Sequence, residues 1–66
     1  MKSALDVQQL LKRFGIFVYL GDREAELQLM EEEVREIYAA GLITPQDFRE
    51  AMIIIKSELN KYKSGH

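Results

Sequence analysis

The chain has 66 residues, no cysteine and a formal charge of −2, so it is a single domain that buries only about 60% of the surface its unfolded form exposes. Without a thiol it has no disulfide framework, no thiolate zinc site and no cysteine nucleophile. No apolar run approaches the roughly 20 residues that span a bilayer, and the slight acidity excludes a protein that coats itself in nucleic acid indiscriminately.

The opening MKSALDVQQLLKRF meets Asp6 and the Gln8-Gln9 pair too early for a signal peptide. A cytoplasmic protein is therefore expected, and the lack of cysteine fits a reducing compartment. Ser3, with Asp6 three residues on, reads as a capping pair that starts a helix. Ala4, Val7, Leu10, Leu11 and Phe14 then fall on one face at helical spacing, and Gly15 supplies a stop. This predicts a first helix over about 4–14.

Residues 15–21 form a connector. Ile16 to Leu20 are strand formers, yet nothing else in the chain reads as a strand to pair with them. An extended strap is expected, its alternate side chains plugging one end of the helices, with Phe17 a candidate plug. Asp22 caps the next helix, about 23–40, whose apolar stripe is Leu27, Met30, Val34, Ile37 and Tyr38, ending at Gly41. Thr44-Pro45-Gln46-Asp47 is the clearest local signal. Thr44 caps, Pro45 occupies the first helical position where its missing N–H costs nothing, and Asp47 opposes the positive end of the dipole. The third helix, about 45–62, carries Phe48, Ala51, Met52, Ile55, Leu59 and Tyr62 on one face. Ser64-Gly65-His66 is expected to be a frayed tail.

Three helices with one apolar face each can hide those faces only against one another. The predicted fold is all-α: a three-helix bundle with an extended connector between helices 1 and 2. The second and third helices, joined by a short turn, should be antiparallel neighbours.

DVQQLLK at residues 6–12, then Gly15, then VYLGDRE at residues 18–24, resembles the YqgQ-like family of small bacterial proteins, and the resemblance extends along most of the chain. It implies a cytoplasmic three-helix bundle from a Firmicute-type bacterium, with single-stranded nucleic-acid binding the main functional suggestion and no catalytic residues to carry over. A shorter stretch, IYAAGLITPQDFREAMIIIKSEL, is similar to the helical hairpin of short C-terminal domains in which G-x-I-T-x-x-x-F recurs. Gly41, Ile43, Thr44 and Phe48 stand at those places.

Enzymatic chemistry finds no support. The only histidine is the last residue, so there is no positioned His base. Gly15 and Gly21 are too far apart for a dinucleotide fingerprint, and no Gly-Lys-Ser/Thr loop occurs. A non-enzymatic, cofactor-free binding protein is expected. Glu31-Glu32-Glu33 point in three directions about 100° apart and cannot converge on a metal ion. Glu31 is instead placed to pair with Arg35 one turn on. RFGIFVY partly matches the aromatic motif of RNA-recognition sheets, but the four-stranded sheet that motif needs is missing.

Topology supplies a candidate site. If the helices run up, down and up, one pole collects Lys12, Arg13, Arg23, Lys61 and Lys63, with Phe17, Tyr19 and Tyr62 at the same end. Cations follow phosphates and rings stack bases, so this pole is a candidate surface for single-stranded RNA or DNA, with Phe17 and Tyr19 as the stacking rings. Against it stands the ordinary preference of lysines for helix C-termini. The competing expectation is association with another protein or with a second copy. It would use Ile53 and Ile54, which lie opposite the third helix's apolar stripe, or backbone pairing along residues 16–20.

Overall fold

The structure is a computed structural model that describes residues 1–63. The tail expected to fray, Ser64-Gly65-His66, lies outside the described residues, as does the side chain of Lys63. Three helices form: α1 (Ala4–Lys12), α2 (Arg23–Ala39) and α3 (Pro45–Lys63). No strand occurs among the described residues.

Each boundary has a local cause. At the start of α1 the Asp6 carboxylate accepts the N–H groups of Lys2 at 2.8 Å and Ser3 at 3.2 Å. Asp22 accepts the N–H of Glu24 at 3.3 Å at the start of α2. The Thr44 hydroxyl accepts that of Asp47 at 3.0 Å at the start of α3. Each cap thus satisfies donors that a helix start leaves without partners.

The ends of α1 and α2 repeat one device. Gly15 stands at φ 78° and Gly41 at φ 75°. The N–H of Gly15 donates to Lys12 and that of Ile16 to Leu11, each at 3.0 Å, while Gly41 donates to Tyr38 and Leu42 to Ile37, each at 2.9 Å. This nested pair of bonds is the Schellman arrangement, which needs a left-handed residue where glycine is least strained. The first helix therefore stops at Lys12 instead of 14. Phe14 falls in the turn and is exposed, not on the core face where helical spacing placed it.

α2 and α3 form an antiparallel hairpin. Near its turn the rings of Tyr38 and Phe48 stack with centroids 4.2 Å apart. Midway, Lys56 lies 3.9 Å from Glu31, which also receives Arg35 at 2.9 Å, the expected partner. At the far end Arg23, α2's first residue, is near enough for its charge to act on the Glu58 carboxylate of α3. α1 lies against the turn-proximal part of α3, for the Met1 ammonium meets Glu50 at 3.0 Å.

One core joins the three helices. Val7 and Leu11 come from α1, Leu27, Met30, Val34 and Ile37 from α2, and Ala51, Met52 and Ile55 from α3, with Val18 of the connector buried among them. Those helix positions are the apolar stripes read from sequence. One expectation at the rim fails: Tyr62, placed on the apolar face of the third helix, is exposed.

Candidate binding surface

The connector alternates as an extended chain does. Ile16 and Val18 turn inward onto the core, while Phe17 is 72% exposed and Tyr19 87%. Ile16 and Val18 are the plugs, and Phe17, a candidate for that role, points to solvent. With two apolar side chains needing cover at alternate positions, the residues between them must face the other way.

Four bonds tie the strap to the body. Ile16 donates to the Leu11 carbonyl. The Gln8 side-chain amide donates to the Val18 carbonyl at 3.1 Å. The N–H groups of Leu20 and Gly21 both donate to Glu26 Oε2, at 2.9 and 3.1 Å. Glu26 is only 8% exposed and is the one buried charged residue among those described. Arg23 stands 3.8 Å from its other oxygen. Burying a carboxylate is tolerable when its oxygens are hydrogen-bonded and a cation is close. Sequence reading missed both Gln8 and Glu26. Glu26 sits one position before Leu27 on the apolar stripe and within one turn of the Asp22 cap, which is the only signal that could have marked it.

Lys63, one of the five cations expected at one pole, has a side chain outside the described residues, and the other four do not sit at one helix end. Arg13 borders a shallow open depression with Lys2, Asp6 and Gln9 of α1 and Asp47 in the first turn of α3. Lys61 is fourteen residues beyond Asp47, about 21 Å further along α3. The physical reason is the strap. Fully extended, its seven residues reach about 23 Å, enough to run from the end of α1 along the hairpin to the start of α2. Lys12 and Arg13 thus stand at one end of the strap and Arg23 at the other, with Phe17 and Tyr19 between.

The far-end cations are committed locally. Lys61 donates to Glu58 at 2.7 Å, and that bond first, then the charge of Arg23, holds the Glu58 carboxyl below its usual range. Arg23 is shared with Glu26. Lys12 and Arg13 have no ion-pair partner among the described residues. Of the alternative interface, Ile53 is 61% exposed, whereas Ile54 packs against the core and is not part of an open patch. No group of three or more acidic or histidine side chains is placed to hold a metal ion among the described residues, and no helix there is long and apolar enough to cross a membrane.

The model of the YqgQ-like family matches residues 1–61. The chain is similar to a protein of Bacillus subtilis (strain 168) that bears the name Uncharacterized protein YqgQ, with 42% identity over 65 residues, covering 98% of this chain and 92% of that one. A family match over nearly the whole sequence and a relative aligned end to end leave one conclusion: the chain belongs to the YqgQ-like family.

Proposed function

We propose that the protein is a non-enzymatic, cytoplasmic binding module that needs no cofactor, and that its working surface is the strap, on which single-stranded nucleic acid stacks. The observation that carries this reading is the outward presentation of Phe17 and Tyr19 on a backbone pinned at Ile16, Val18 and Leu20. A backbone already held on both sides of the rings loses little freedom when bases stack on them, and each stacked base contributes about 1–3 kcal/mol. Lys12 and Arg13, unpaired at the near end, supply the phosphate contacts.

The charge arrangement makes a specific demand on such binding. With two uncommitted cations beside the rings, the affinity should be weak and its salt dependence shallow, with a slope near −0.7 per phosphate contact and about −1.4 in all. Fluorescence anisotropy with labelled single strands tests this. Phe17→Ala or Tyr19→Ala alone should weaken binding with little change in slope, and the two together should abolish it. Lys12→Ala with Arg13→Ala should flatten the slope while leaving residual stacking. Absence of binding at low salt overturns the reading, as does binding that survives loss of both rings.

A further inference from the structure

Between residues 16 and 20, the groups bonded to the body belong to even positions: the N–H of Ile16, the carbonyl of Val18 and the N–H of Leu20. In an extended chain the backbone groups of successive residues point to opposite edges. The N–H and carbonyl of Phe17 and of Tyr19 therefore form an outer edge, and none of the four has a partner among the described residues. An unpaired apolar edge is a template for another strand.

We infer that this edge pairs with the strap of a second copy, antiparallel and centred on Val18. The register follows from the residues. Ile16-Phe17-Val18-Tyr19-Leu20 is a chemical palindrome: aliphatic, aromatic, branched aliphatic, aromatic, aliphatic. A two-fold axis at Val18 sets Phe17 against Tyr19 of the other copy, Ile16 against Leu20, and Gly15 against Gly21. The four free groups of each copy lie at Phe17 and Tyr19, so both of those opposed positions are of the hydrogen-bonded kind. The rings fall on one face as two cross-strand aromatic pairs, an arrangement that stabilises sheets. Charge agrees with the direction. The antiparallel sense brings the Lys12-Arg13 end of one strap toward the Asp22 and Glu24 end of the other, where Arg23 is the single cation and is shared with the buried Glu26.

The exposed area sets the strength. Two largely open rings offer roughly 300 Å² per copy, so the pair buries well under the 1,200 Å² or so of a stable interface. A transient dimer is the outcome. It does not rest on the nucleic-acid reading, and because it covers the same rings, a second copy and a single strand compete for one surface.

The chain has no cysteine, which permits a clean test of register. Phe17→Cys and Tyr19→Cys variants are oxidised separately and as a mixture, in the absence of nucleic acid. Opposed residues of a hydrogen-bonded pair are about 5.5 Å apart between Cα atoms, within disulfide reach. The mixture should yield the hetero-disulfide at least several-fold over either homodimer. Equal yields of all three products, or predominance of the homodimers, overturn the antiparallel register. A second arm avoids oxidation: sedimentation equilibrium from about 10 µM to about 1 mM should show wild type associating at the upper end. Phe17→Lys with Tyr19→Lys should stay monomeric, as should Phe17→Glu with Tyr19→Glu, and mixing the two should restore association. A monomeric wild type that still binds single strands removes this inference and leaves the nucleic-acid reading standing. A dimer that ignores single strands does the reverse.

Discussion

Replacing Glu26 by alanine removes the acceptor that holds the end of the strap to α2. Its Oε2 receives two backbone N–H groups at 2.9 and 3.1 Å. Bonds to a charged acceptor contribute about 1.5–3 kcal/mol each, but Leu20 and Gly21 are exposed, so water can reach their amides once the carboxylate is gone. That resolvation brings the expected loss to about 2–3 kcal/mol for the pair. The Arg23 contact adds almost nothing, because at 3.8 Å with a partly exposed guanidinium it is a surface pair. A domain of this size holds about 3–10 kcal/mol in total, so the midpoint of thermal unfolding should fall by about 10–20 °C. Urea unfolding followed by circular dichroism measures the free energy directly. Glu26→Gln, which keeps an oxygen at the same place, should lose about 1 kcal/mol or less. Amide exchange at Leu20 and Gly21 should accelerate in the alanine variant. If Glu26→Ala unfolds within about 0.5 kcal/mol of wild type, the carboxylate does not anchor the strap and the reasoning fails.

Gly15→Ala should cost about 1–2 kcal/mol in the same urea assay, because φ 78° is left-handed; a Cβ there meets nothing within 4 Å, so the loss is purely conformational. Ile53→Lys should be neutral within about 0.5 kcal/mol and Ile54→Lys clearly destabilising, since only the second packs on the core; equal effects would contradict that division. Acid should weaken the fold through three carboxylates. The Lys2 N–H lowers Asp6 from its ordinary 3.8, the Gln46 amide and then the N-terminal ammonium lower Glu50 from 4.5, and Lys61 lowers Glu58 from 4.5. Each binds its proton less tightly folded than unfolded, so its contribution is complete above the ordinary value and drains away as pH falls through the lowered one. The urea midpoint should therefore decline below about pH 4.5; a flat or rising midpoint there would contradict these assignments.

The helices were readable because their signals are local. Thr44-Pro45 and Asp22 announce starts, Gly15 and Gly41 announce stops, and 3.6-residue spacing marks the faces that meet. The end of the first helix was misplaced since periodicity alone extends to Phe14, while the Schellman bonds close on Lys12 and Leu11. The strap's extended character was equally visible, but its course was not. Whether seven extended residues double back at one pole or run along a hairpin depends on Gln8 meeting Val18 and on Glu26 meeting Leu20 and Gly21 in space. Polar residues such as Gln8 and Glu26 look like solvated helix surface until their partners are known. The separation of Arg13 from Lys61 was hidden for the same reason: sequence shows which residues flank each helix end, whereas the course of the strap decides which ends lie together.

Everything functional rests on the strap turning Ile16 and Val18 inward and two rings outward. Paramagnetic relaxation of side-chain protons by a soluble, uncharged probe reads that orientation in solution. The account predicts strong broadening of the Phe17 and Tyr19 ring protons beside protected Ile16 and Val18 methyls. Protected rings, or Val18 methyls broadened as strongly as the rings, would contradict it.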